Sequence, residues 1–228
     1  MANLMTNPSF FPRRLSQYVP AMQYASDVNM SGDTRVSFGA PAIASATFLL
    51  SARDVSAGAT IQASSLLTDT MVEPWGRCLQ VVLSGAGTGT ITIDGWDYLG
   101  QPMSENIALN GATPVVGVKA FKYIRQVTWP TVGAVTMNLG NHDKLGLPYK
   151  CIKCLSEEFA GAIVSTLGVL VTASLTDPAT ATTTDTRGTY DPQSTLNGTS
   201  TLTASFLFAN DVNASNNGGL HGIAHFAN

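Results

Sequence analysis

From residue 46 onward, apolar and polar positions alternate with the period of two expected of half-buried strands. In residues 77–83, Leu79, Val81 and Leu83 share one face, and Gly85-Ala86-Gly87 ends the run. Residues 88–93 put Ile91 and Ile93 on one side and Thr90, Thr92 and Asp94 on the other. Residues 103–109 alternate again, with Met103, Glu105, Ile107 and Leu109 aligned. The connection between these two runs holds Gly95, Gly100 and Pro102, so the pattern predicts a β-hairpin with Gly100 at a positive φ. Further strands are expected at 47–50, at 120–129 (Phe121, Tyr123 and Val127 on one face, Ile124 on the other), at 133–139, over a long run at 162–174, and at 202–208. Residues 220–226 could add a terminal strand. A single helical turn is expected at Ser156, Glu157, Glu158 and Phe159, and no longer segment has a 3.6-residue period. Residues 176–186, rich in threonine, read as an exposed loop, and residues 210–219 carry the Asn and Gly of turns. The strand spacing predicts an all-β fold, an antiparallel β-sandwich or jelly-roll-like domain over residues 46–228.

Residues 1–45 follow no such pattern. Prolines at 8, 12 and 20 interrupt paired aromatics, which predicts an extended N-terminal arm. Exposed aromatic side chains on such an arm are costly, so it either packs on its own domain or docks on a partner. Phe10, Phe11, Arg13, Arg14, Tyr18 and Tyr24 are the candidate partner-binding residues, since bulky terminal side chains make good anchors.

Composition narrows the function classes. Only 12% of the 228 residues are charged and the net charge is -3, which excludes the basic footprint of a general nucleic-acid binder. A polar but nearly uncharged surface can be covered by neighbouring subunits without burying unpaired ions. The three cysteines, Cys78, Cys151 and Cys154, do not make a disulfide framework, and the start of the chain lacks the apolar core of a signal peptide. Residues 160–175 are too short and too rich in hydroxyls to span a membrane. The expectation is a protein made and folded in a cytoplasm.

No pattern of catalytic chemistry emerges. Cys151 and Cys154 form a lone C-x-x-C with His142 nearby and Cys78 as a conceivable fourth ligand; two ordinary reduced thiols are the commoner outcome. His221 and His225 are four apart, but their Gly- and Asn-rich setting argues against the shared helix that a metal site would need. Asp94 and Asp97 have the look of a glycosidase pair, yet hairpin-turn aspartates are more frequent. Trp75, Trp96 and Trp129 are candidates for stacking on sugar rings or for core positions. The expectation is no enzyme and no cofactor.

Residues 89–105 (Gly-Thr-Ile-Thr-Ile-Asp-Gly-Trp-Asp-Tyr-Leu-Gly-Gln-Pro-Met-Ser-Glu) resemble a hairpin of virion proteins of tailed bacteriophages: strand, G-Q/N-x-x-S-E, strand. Residues 118–124, 144–149, 188–192 and 197–199 continue the likeness in the same order. Together they resemble capsid decoration (cement) proteins and related head or tail accessory proteins. That resemblance implies a structural protein on the phage head that binds the major capsid protein at capsomer junctions, assembles with itself as a trimer, and uses no nucleic acid, membrane or cofactor. A tail or head–tail junction component and a carbohydrate- or receptor-binding module are the alternatives.

Overall fold

The structure, a computed structural model, describes residues 30–174 and 176–210. Fourteen strands follow one another: β1 (Met30–Gly39), β2 (Leu50–Asp54), β3 (Ala59–Gln62), β4 (Arg77–Leu83), β5 (Thr88–Trp96), β6 (Pro102–Asn110), β7 (Val115–Phe121), β8 (Tyr123–Trp129), β9 (Thr136–Gly146), β10 (Cys151–Phe159), β11 (Ala162–Ile163), β12 (Val169–Val171), β13 (Thr189–Asp191) and β14 (Leu202–Asn210). Among the described residues the one helical piece is a 3-10 turn, Ala63–Ser65, and no helix is long and apolar enough to cross a membrane. The fold is the all-β, sandwich-like, antiparallel arrangement that the alternation predicts.

Three sheets build it. A central sheet has the order β12-β13-β9-β4-β7, with β2 also paired to β9. A hairpin sheet, β3-β8-β5-β6, packs on the first part of β9 and on β4. The core between them takes Leu79, Val81 and Leu83 from β4, Ile91 and Ile93 from β5, Ile107 and Leu109 from β6, and Met137 and Leu139 from β9. A terminal sheet, β1-β14-β10-β11, closes a second core with Val36, Phe38, Cys151, Cys154, Leu202 and Phe206 against Leu145 and Tyr190. The 11-residue β9 therefore serves both cores. At its midpoint the carbonyl of Ser45 passes so close to Gly140 that a Cβ there would sit 1.8 Å away, a space only glycine leaves.

The described part of the expected arm is built into the fold. Residues 30–39 pair along their length with β14, and Ser45 donates its N–H to Asn141 Oδ1 at 2.7 Å. The hairpin at 94–102 forms as expected: Trp96 stands opposite Pro102 and Gly100 has a φ of 80°. A Cβ at Gly100 would meet nothing within 4 Å. Gly100→Ala therefore isolates the cost of the left-handed backbone. It should destabilise by about 1 kcal/mol, read from a urea titration, and a neutral result would contradict the turn geometry.

Four expectations are corrected. The strand expected at 47–50 begins only at Leu50 and runs outward, because residues 51–54 are exposed and alternate nothing. Its irregularity sits at Ala52, with φ 48° and its N–H donated to Asn138 Oδ1 at 2.7 Å. Residues 120–129 are two strands in different sheets. The chain steps from the central to the hairpin sheet at Lys122, whose N–H bonds Trp96 O at 2.9 Å and whose ammonium holds Met71 O at 2.6 Å and Glu73 O at 2.9 Å. Tyr123 consequently points outward, 42% exposed, rather than beside Phe121. The run at 162–174 breaks into β11 and β12 because Gly168 turns inward to donate to Glu157 Oε2 and Tyr190 Oη, each at 3.1 Å. Residues 156–159 are strand, not a helical turn. Glu157 is buried as the acceptor for Gly168, Gln193 and Ser194 N–H groups and for the Tyr190 hydroxyl at 2.5 Å.

The threonine-rich segment is the largely exposed loop expected, but its backbone is pinned to the body. Residues 176–188 form a strap along β6 and β7, the outer strands of their two sheets. Pro178 O and Ala181 O accept the N–H groups of Ser104 and Asn106, at 3.1 and 2.9 Å. The buried Lys119 ammonium gathers Ser104 O, Pro178 O and Thr180 O at 2.7–2.8 Å. Asp185 accepts Ala120 N–H at 3.0 Å. Edge groups that would otherwise be open to another chain are thus capped from within.

Candidate functional site

The six candidate arm residues, Phe10, Phe11, Arg13, Arg14, Tyr18 and Tyr24, lie outside the described residues, as do His221 and His225. What the structure does place is the corner from which the terminal segments depart. Met30 and Asn210 are register partners at one end of the β1–β14 ladder. The first and last described residues of the chain therefore lie side by side at a single corner of the terminal sheet.

The cysteine motif resolves into packing. In a regular strand, residues three apart face opposite ways. Register shifts between Cys151 and Lys153 and between Cys154 and Ser156 insert an extra residue each time, so both thiols face the second core and Ile152 and Leu155 are turned outward. Burial pushes the Cys151 thiol up to about 12 and Cys78 well above the usual thiol range; Cys154 is raised as well. Protonated, enclosed thiols are poor nucleophiles and poor metal ligands. Among the described residues no group of three His, Cys, Asp or Glu side chains is placed to hold a metal.

The two hairpin aspartates separate by role. Asp97 is buried in the turn, where it accepts the N–H groups of Leu99 and Gln101 at 2.8 Å and the Arg187 guanidinium at 2.5 Å. Asp94 lies on the outer face of β5. Asp97 is thus the turn aspartate expected, whereas Asp94 belongs to the strand and not to the turn.

Charge is drawn into the interior. At least nine of the 27 charged residues (12 Lys and Arg, 15 Asp and Glu) are buried: Glu73, Arg77, Asp97, Glu105, Lys119, Lys150, Glu157, Asp185 and Arg187. Each of the best-partnered groups ties two parts of the fold. Arg77 donates to Glu73 Oε1 at 2.7 Å, to Asp143 Oδ1 at 2.6 Å and to His142 O. Arg187 joins the strap to the hairpin turn and lies over the Tyr98 ring at 4.7 Å. None of these roles was assigned from the sequence. The available signal was a single charge set in an apolar strand, as for Lys119 between Val118 and Ala120.

The outward face of the hairpin sheet is the opposite: polar and almost uncharged. Cross-strand register aligns Thr60, Thr128, Thr92 and Asn106 in one row and Gln62, Gln126, Asp94 and Ser104 in the next. Side chains bond along the rows, Thr92 Oγ1 to Asn106 Oδ1 at 2.8 Å and Gln126 Nε2 to Asp94 Oδ2 at 2.7 Å. A third row sets Tyr123 and Pro102 on either side of Trp96. Of the three tryptophans, Trp129 is buried in the first core and Trp75 packs on the second, so Trp96 is the one on this face.

Compared with known families, curated proteins and solved structures, the chain matches no family model, no curated protein and no solved structure.

Proposed function

We propose that this chain is a structural virion protein of a tailed bacteriophage, a decoration protein that binds the outer face of the head at capsomer junctions and stabilises the shell. The observation that carries this reading is the shared corner: Met30 pairs with Asn210, so the described chain begins and ends at one corner of the terminal sheet, next in sequence to the aromatic residues of the arm. A protein that grips a neighbour needs a folded body, a reach and a surface that tolerates being covered. The low charge of the chain, with at least nine of its 27 charged residues buried, favours the last of these. The partner is the major capsid protein, and the self-association a trimer matching threefold junctions. By linkage, a protein that binds only the assembled shell stabilises it. No catalytic step is part of this reading. A position in the tail or at the head–tail junction would use the same body and differ in copy number.

Quantitative mass spectrometry of purified particles tests the reading. A ratio near that of the shell protein is expected; a few copies per particle would move the protein to the tail or junction, and absence from particles would overturn the structural reading. The arm has its own test. Deleting residues 1–25 stops short of β1, so the melting temperature should move by no more than a few degrees. Binding to capsids should fall by about a hundredfold or more, and unchanged binding would remove the arm from the interface.

A further inference from the structure

We propose that the outward face of the hairpin sheet is a binding site for a neutral oligosaccharide, with one sugar ring seated against Trp96. A pyranose presents an apolar face of C–H groups and a rim of hydroxyls that both donate and accept. Recognition calls for a flat aromatic surface beside planar polar groups of both kinds. This face has that composition. Trp96 and the 42% exposed Tyr123 stand in adjacent strands at one end of it. The amides of Gln62, Gln126 and Asn106 and the hydroxyls of Thr60, Thr92 and Thr128 continue the surface in rows. Rows lie about 7 Å apart along the strands and strands about 4.8 Å apart across them, which gives an extended chain repeated contacts.

Beside Trp96 the face is hollowed. A depression of about 320 Å³ is lined by Asp94, Trp96, Pro102, Ser104, Arg125 and Ala179. That is the lower end of the range for small-ligand sites. Its walls are fixed by the fold. Arg125 is the extra residue where Gln126 stands opposite Asp94 but Ile124 opposite Gly95, so the bulge turns its guanidinium out beside the hollow, 3.6 Å from Asp94 Oδ2. Ala179 belongs to the strap that Lys119 pins on both sides, through Pro178 O and Thr180 O.

Charge selects the class of ligand. Asp94 and Arg125 offset each other, and the remaining groups of the rows are uncharged. Phosphate chains need a basic track, so nucleic acid does not fit, and a neutral polyol does. The inference does not rest on the virion reading, because the binding test uses the full chain alone.

The experiment titrates the full-length chain with the neutral probes maltohexaose, cellohexaose and hexa-N-acetylchitohexaose, following tryptophan emission and heat. Trp129 is enclosed and Trp75 lies at the second core, so a saturable change in emission reports on Trp96. A Trp75→Phe variant should retain the signal. At least one probe should bind, and Trp96→Ala and Asp94→Ala should each weaken it by about tenfold or more. Tyr123→Ala, at an exposed position, should weaken it by about three- to tenfold and covers the case in which Trp96→Ala does not fold. No response to any probe at about 10 mM, or equal binding by the folded variants, would overturn the proposal.

Discussion

Arg77→Met should remove about 3–5 kcal/mol of stability, a large share of the 5–15 kcal/mol typical of a domain. Arg77 is fully enclosed and spends its donors on Glu73, Asp143 and the His142 carbonyl. Its position explains the size of the effect. Arg77 faces Leu145 in β9 while Leu79 faces Asn141, so three residues, 142–144, bulge out of the ladder around the guanidinium. That bulge lies where β9 passes from the first core to the second. Methionine would fill much of the volume but leave Glu73 as a buried carboxylate with its ion-pair partner gone. Asp143, partly exposed, can turn to water. The loss should appear as a lower urea midpoint, and Glu73→Gln in the same chain should restore part of it by removing the stranded charge. Arg35→Ala provides the comparison: its pair with Glu158 is also 2.6 Å long, but Arg35 is 64% exposed, and the change should cost under about 1 kcal/mol. Equal effects of Arg77→Met and Arg35→Ala would show that the buried network contributes nothing special.

The same bulge shows where sequence patterning stops being informative. β5 and β6 are legible because they pair with each other in unbroken register with one face on the first core, and in β4 the alternation holds from Leu79 to Leu83. β9 is legible only through Leu139; beyond it Gly140, Asn141 and the bulge hide the continuation. β10 carries two extra residues, Ile152 and Leu155, that bring Cys151, Cys154 and Glu157 to one side, so its inward positions recur every three residues and imitate neither strand nor helix. The passage between sheets at Lys122 leaves no mark either, since both flanking strands are apolar on their inner faces. In each case the missing information is a long-range pairing that resets the phase of the alternation. The strap fails differently. Its composition is that of a surface loop, and what anchors it is a lysine some sixty residues earlier in the chain.

For the candidate surface, the balance between sequence and structure is reversed. The residue types of the polar rows are plain in the sequence, but their alignment across four strands depends on register. Gln62 and Gln126 are 64 positions apart and meet only because β3 pairs with β8. Of the three tryptophans, the sequence offers no way to choose, whereas parity along β5 places Trp96 with Thr92 and Asp94 on the outer face. The scarcity of charge on that face has its counterpart in the interior, where the buried ions tie sheet to sheet. The two observations are one design: ions hold the body together, and hydroxyls and amides meet what binds it.

One of those interior groups makes stability depend on pH near neutrality. Burial pushes Glu105 from 4.5 up to about 7, against the opposing pull of the Val118 N–H, the Lys119 charge and the Lys119 N–H. Its Oε2 has no hydrogen-bond partner and lies where a Cβ on Gly117 would be, 2.7 Å away. An acid whose folded value is raised contributes stability that is fully present below its unfolded value and lost as pH rises through its folded value. For Glu105 that window runs from about 4.5 to about 7, and the loss across it comes to about 3 kcal/mol. The buried Asp185, also raised by burial, acts in the same direction. His142 opposes them: burial lowers its value, so its contribution is present above its unfolded value of 6.5 and lost as pH falls. The wild-type profile therefore mixes signs, and the informative quantity is the difference from Glu105→Gln, which keeps the shape and the acceptor for Val118 but cannot ionise. At pH 4 the variant should be no more stable than the wild type, because an unpartnered amide replaces a neutral acid. By pH 8 the difference should have shifted in its favour by about 3 kcal/mol, measured as urea midpoints at constant m-value. A difference that stays constant from pH 4 to 8 would mean that Glu105 titrates in the folded chain as it does in the unfolded one, and would overturn the raised value.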